Sequence, residues 1–254
     1  MRALAPWLSR SRRSDREDPV VERTGLSRER WRELAASYPD LPADPGRLVE
    51  KARARLERLS SRALSSGRWN LRLEGDPPSE RPCIYATAHL GSLQALRYAL
   101  RARGVPAATV LGPHNLDRTR AAEQDRVFDR RHPLDFPHAL ASSQVHRLRG
   151  ALKRGSLVAA ADLPPAGGMP ARVLGGWVRI DPRPFRLAGA AGVPCRPAFA
   201  TLPGGRWTLT LGPPLPADGK AAAEAFARAL AEVAARAPLD LDGVVYGHIA
   251  ESAG

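Results

Sequence analysis

From Arg68 onward the chain alternates short apolar runs with longer runs of helical spacing. "WNLRLEG" alternates like a strand and ends in the turn "GDPP". "CIYATA", "PAATVLG", "SLVAAADLPP", "CRPAFATL" and "RWTLTLGPPL" read as further strands. Between them, "SLQALRYALRARG" and "QVHRLRGALKRG" read as helices closed by Gly104 and Gly155, and "PFRLAGAAGVP" as a third. "AAAEAFARALAEVAARAP" is a long final helix. Strands that alternate with helices predict an α/β fold: a mainly parallel central sheet with helices on both faces. In such sheets sites form at the carboxyl ends of strands.

The first part of the chain has a different texture. Residues 1 to about 22 are rich in Arg, Ser and Asp, poor in apolar residues, and read as mobile. "LSRERWRELAASYP" predicts a short helix with Ser27 as N-cap. "RLVEKARARLERLSSRAL" predicts an amphipathic basic helix that either packs on the main body or lies on a membrane surface. The expected division is an N-terminal helical extension over 1–67 and an α/β domain over 68–254.

The net charge of +13 rests on arginine, because Lys51, Lys153 and Lys220 are the only lysines. Such a balance suits an acidic protein, a phosphorylated substrate, an anionic membrane or nucleic acid. No nucleic-acid recognition motif or aromatic-interleaved basic run accompanies it, so no nucleic-acid partner is expected. No run of about 18 apolar residues predicts a spanning helix. Cys83 and Cys195 sit in apolar runs without zinc spacing, so they read as buried, reduced thiols, and no metal is expected.

There is no G-x-S-x-G elbow, no phosphate-binding G-x-x-x-x-G-K-[ST] loop and no H-E-x-x-H helix. The strongest candidate for chemistry is His89. It follows the strand "CIYATA", precedes a helix start and is flanked by the small residues Ala88 and Gly91. Backbone N–H groups at that helix start offer a cradle for an oxyanion or phosphate. Ser92, in the first turn, reads as a helix-start hydrogen bonder. Asp162 also falls at a strand end, where it serves either the site or a turn before Pro164.

"H-L-G-S-L-Q", His89 to Gln94, resembles the H-x-x-x-x-D/E motif of the lysophospholipid acyltransferase superfamily. "GPHNLDR", "LRGALKRGSLVAAADLPP" and "ARVLGGWVRIDPRPFRLAGAAGVPCRPAF" are similar to later blocks of that family, in order. The order is closest to the bacterial lipid A late acyltransferases and phosphatidylinositol mannoside acyltransferases, and covers about residues 68–240.

That resemblance implies a glycerolipid-acyltransferase-like fold. It also implies an acyltransferase that takes an acyl group from an acyl carrier protein or acyl-CoA thioester. The acceptor would be a hydroxyl or amine on a lipid or small molecule. It makes His89 the general base and, with Gln94 in the place of the motif acid, directs attention to Asp162 as a second family acid. Gly91, Ser92, Pro113, His114 and Asn115 become candidate substrate-lining residues, with a turn as the alternative role for "PHN". The second-block arginine is replaced by Gly112 ahead of Pro113. Arg147, Arg149, Lys153 and Arg154 form a basic run, either a solvated surface or a dock for acidic acyl carrier protein. No metal or nucleotide cofactor is implied. A glutamine can accept a hydrogen bond but cannot balance an imidazolium charge. The alternative is therefore a catalytically impaired protein of this fold that binds lipid or acyl carrier protein. The expected location is cytoplasmic, with peripheral contact at the inner membrane face left open.

Overall fold

The computed structural model describes Glu29 and residues 71–112, 135–162, 168–173, 176–202, 206–237 and 240. The expected N-terminal extension lies outside these residues except for Glu29, which is helical and exposed. The elements are β1 (Leu71–Gly75), β2 (Ile84–Thr87), α1 (Leu93–Arg101), β3 (Ala107–Leu111), β4 (Ala139–Ala141), α2 (Val145–Ala151), β5 (Ser156–Ala160), β6 (Met169–Val173), β7 (Gly176–Ile180), α3 (Arg183–Ala191), β8 (Cys195–Thr201), β9 (Trp207–Leu211) and α4 (Gly219–Arg236).

The fold is α/β. Seven strands form one sheet in the order β1-β9-β8-β2-β5-β3-β4, and β6 and β7 form a separate two-stranded sheet. Strands β8, β2, β5, β3 and β4 run parallel. β9 pairs antiparallel with β8 and parallel with β1, so the large sheet is mixed. The β8–β9 connection is residues 202–206. That is too short for a parallel crossover, which needs a dozen residues or more, so the chain must turn straight back. The β6–β7 hairpin spans "MPARV" and "GWVRI", a stretch whose strand character the sequence reading passed over.

Central strands are apolar without alternation because both of their faces are covered. β2 is fully buried, as is β8 throughout. Ile84, Ala86, Leu157, Ala159 and Phe199 share one core with α2, α3, α4 and the small sheet. Tyr85, Val158, Ala198 and Leu209 share another with α1. In α4 the buried residues Ala222, Ala223, Phe226, Ala227, Leu230, Val233 and Ala234 recur at helical spacing, and Asp218 caps its start by accepting from Ala221 N at 2.8 Å. Phe226 is packed between Phe185 and Phe199, at ring-centre distances of 6.0 and 5.8 Å.

Two helix ends differ from expectation. α1 ends at Arg101 with Ala102 as its cap, and Gly104, at φ +77°, lies two residues beyond the cap. α2 stops at Ala151, and residues 152–155 form the turn that leads into β5. Among the described residues no helix is long and apolar enough to cross a membrane.

Candidate active site

The register of the two central strands builds this site. β2 and β5 pair in parallel with Thr87 opposite Ala160. Two residues further along each strand stand His89 and Asp162. Ala161 N donates to Thr87 O at 2.7 Å, which carries the pairing past the strand ends. The histidine and the aspartate, 73 residues apart in sequence, therefore meet side by side at the carboxyl end of the sheet.

His89 Nδ1 lies 2.9 Å from Asp162 Oδ1, and His89 backbone N–H donates to Asp162 Oδ2 at 2.8 Å. One carboxylate thus engages both the ring and the main chain of a single residue, which fixes the ring's direction. The Asp162 side chain is 1% exposed, whereas that of His89 is 43% exposed. A carboxylate is only an acceptor, so in the neutral imidazole the proton sits on Nδ1 and the basic lone pair on Nε2. If the ring gains a proton, the buried carboxylate balances the charge. This is the arrangement of a histidine base oriented and supported by an acid. Asp162 is held in turn by a bridge to Ile180 at the end of β7 and by Asp181 N donating to Ala161 O at 2.6 Å.

The segment after the histidine is clamped by backbone bonds. Gly91 N donates to Asp240 O at 2.8 Å, and Ser92 N donates to Ala200 O at 3.1 Å. Asp240, buried, also accepts from Leu202 N through Oδ2 at 2.5 Å. Gly91 has φ +69°, and a Cβ there would lie 1.9 Å from Ala200 O. Its missing side chain makes room for β8, whereas the sequence reading assigned that space to a substrate. Ser92 is the N-cap of α1 and accepts from Ala95 N at 3.1 Å through Oγ. The N–H groups of residues 91, 92 and 95 therefore bond to protein acceptors. Of the donors expected for an oxyanion, these three are already occupied.

Gln94 is the second residue of α1; its side chain lies outside what is described, as do Pro113, His114 and Asn115. Arg147 and Arg149 are exposed on α2 on either side of the buried Leu148. Lys153 and Arg154 are exposed in the turn beyond the helix. They do not line one helix face. α2 starts beside the carboxyl end of β4 and its following turn feeds the start of β5, so Lys153 and Arg154 lie at the end of the parallel strands opposite His89.

Sequence reasoning missed several buried polar residues. Asp240 carries no motif, and its role is visible only once β8 and the residue 91 segment are in place. Arg97 and Arg101 are 0% and 2% exposed, although arginine on a helix usually faces water. Arg97 donates to His138 O at 2.9 Å and lies 4.4 Å over the Tyr98 ring, and Arg101 donates to His138 Nδ1 at 3.0 Å. His138 thereby joins α1 to the start of β4.

Cys83 and Cys195 are free and buried. Burial pushes both thiols up, Cys195 to about 12, with the neighbouring Cys83 adding to the shift. Among the described residues no group of three or more His, Cys, Asp or Glu side chains could hold a metal ion. No protein-family description matches the chain, and no curated protein matches it.

Proposed function

We propose that this protein is an acyltransferase that moves an acyl group from a thioester donor to a hydroxyl or amine acceptor, with His89 as the general base. The observation that carries this reading is the 2.9 Å contact between His89 Nδ1 and the buried Asp162 carboxylate at the carboxyl ends of adjacent parallel strands. In this mechanism Nε2 removes the acceptor proton. The acceptor oxygen or nitrogen then attacks the thioester carbonyl. Collapse of the tetrahedral intermediate expels the thiolate, which takes the proton from the imidazolium and leaves as thiol. Asp162 holds the tautomer and offsets the transient charge.

This assigns to Asp162 the work that the resemblance gives to the motif acid, so Gln94 at that position does not remove the base. The α/β sheet, with α1 in one core and α2, α3 and α4 in the other, supports the finer reading of a glycerolipid-acyltransferase-like fold. The donor is an acyl carrier protein or acyl-CoA thioester, and the acceptor a lipid or small molecule met in the cytoplasm or at the inner membrane face. Exposed Arg147 and Arg149 are the nearer of the four basic residues for docking an acidic carrier protein. That contact should weaken steeply with salt.

The test uses purified full chain with acyl carrier protein and acyl-CoA thioesters, following thiol release with and without acceptor alcohols. Thiol release that His89→Ala abolishes is the expected result. A wild-type protein that consumes no donor under any of these conditions overturns the enzymatic reading. It leaves the fold as a binder of lipid or carrier protein, which direct binding of those ligands then reports.

A further inference from the structure

Strands β1 and β9 have two unlike faces. Leu71, Leu73, Trp207, Leu209 and Leu211 belong to the core that contains α1. Arg72, Glu74, Thr208 and Thr210 point the other way. With Thr201, Arg206 and Arg236 at the end of α4, they line a groove of about 400 Å³. The parallel register sets Arg72 beside Thr208 and Glu74 beside Thr210.

Glu74 contacts Arg72 at 3.3 Å and Arg236 at 3.0 Å, so one carboxylate orients two guanidiniums. Arg206 is exposed and pairs with no carboxylate among the described residues. Three guanidiniums against one carboxylate leave two positive charges. The end of α4 adds about half a negative unit, which does not cancel them. Thr201 and Thr208 are 2% and 3% exposed, yet both line the groove. The Thr208 hydroxyl reaches only Arg206 O, at 3.5 Å, the outer limit for a hydrogen bond. A buried, under-bonded hydroxyl aimed into a groove of net positive charge is a donor waiting for an acceptor.

Guanidinium forks and hydroxyls are the groups that phosphate oxygens accept from, and a phosphate can match two positive charges where a single carboxylate cannot. The volume suits a small-molecule site. We propose that this groove binds a phosphate-bearing ligand, at a site separate from the His89–Asp162 pair. β9 begins where β8 ends and lies two strands from β2 in the sheet. The groove is therefore at the same sheet end as His89, about 10 Å away across the strands.

The test is calorimetric titration of the full chain with inorganic pyrophosphate. Saturable binding is expected, weakened at least tenfold in Arg206→Gln and in Thr208→Val and unchanged in His89→Ala. Absence of saturable binding overturns the proposal, as does equal binding by wild type and Arg206→Gln. Arg206 is exposed, so its variant remains informative even if Thr208→Val does not fold. The same variants titrated with coenzyme A and with vesicles containing phosphatidic acid identify the source of the phosphate. Arg206-dependent binding of the first supports a soluble phosphate ligand, and of the second a lipid head group. The unchanged response of His89→Ala separates this site from the acyltransfer reading, whose failure would leave pyrophosphate binding intact.

Discussion

Replacing Asp162 by Asn keeps the shape of the side chain and alters the chemistry of the pair. The amide oxygen can still accept from His89 backbone N–H, as Oδ2 does at 2.8 Å. The amide nitrogen then faces Nδ1, 2.9 Å away, and donates to it. The ring must move its proton to Nε2, and the basic lone pair turns inward, away from any acceptor. The lost charge interaction can be bounded. Opposite unit charges at about 2.9 Å attract by roughly 6 kcal/mol at an effective dielectric of 20 and about 1.4 kcal/mol in water. Asp162 is buried but His89 is 43% exposed, so the value lies between those limits. About 3–4 kcal/mol corresponds to a loss of roughly 10²- to 10³-fold in rate. Wrong-tautomer losses in serine-protease triads reach about 10⁴-fold, the ceiling for this effect. Thiol release from the thioester donor gives the rate, and the ¹⁵N shifts of the His89 ring give the tautomer with no need for turnover. An Asp162→Asn enzyme within threefold of wild type, or an unchanged tautomer, would refute the reasoning. So would a larger loss in Gln94→Ala than in Asp162→Asn.

Gly91→Ala places a methyl group against Ala200 O at a backbone angle that L-residues avoid; urea unfolding should show about 3 kcal/mol or more of lost stability. Ser92→Ala removes the α1 cap and should cost about 1 kcal/mol in the same assay while leaving the chemical step of thiol release in place, since its hydroxyl is bonded to Ala95 N. Stability should also fall at alkaline pH. Cys195 holds its proton up to about 12 in the folded chain, whereas an exposed thiol loses it near 9.0. Below about pH 9 the contribution is fully present, and above it the unfolded chain is favoured by about 1.4 kcal/mol per pH unit per thiol. Denaturant midpoints from pH 8 to 11 should decline, and a flat profile would contradict the buried placement.

The order of strands and helices was readable because each strand run is short, apolar and bounded by turn residues. Direction and pairing were less so. "TLPGGRW" joins two strands through too few residues for a crossover, which marks β8 and β9 as antiparallel, whereas the surrounding alternation with helices argued only for a mainly parallel sheet and did not say which pair departs from it. The β6–β7 hairpin hid behind a glycine pair that resembled a turn in a longer connection. His89 and Asp162 each stood at a strand end in the sequence. Nothing local recorded that their strands are neighbours with Thr87 opposite Ala160, because parallel pairing across 73 residues leaves no mark near either residue. The buried arginines of α1 were invisible for the opposite reason. Their acceptors on His138 lie far along the chain, and composition alone puts an arginine in water.

The position of β2 between β5 and β8 bears on how the chain is made. Both of its neighbours are synthesised after it. At about 5–20 residues per second, the 73 residues between His89 and Asp162 take roughly 4–15 s to emerge. Through that interval "CIYATA" is an apolar strand with two unpaired edges, and His89 has no acid beside it. The ribosome therefore releases the histidine well before its partner, and the His89–Asp162 pair can form only after β5 has been made.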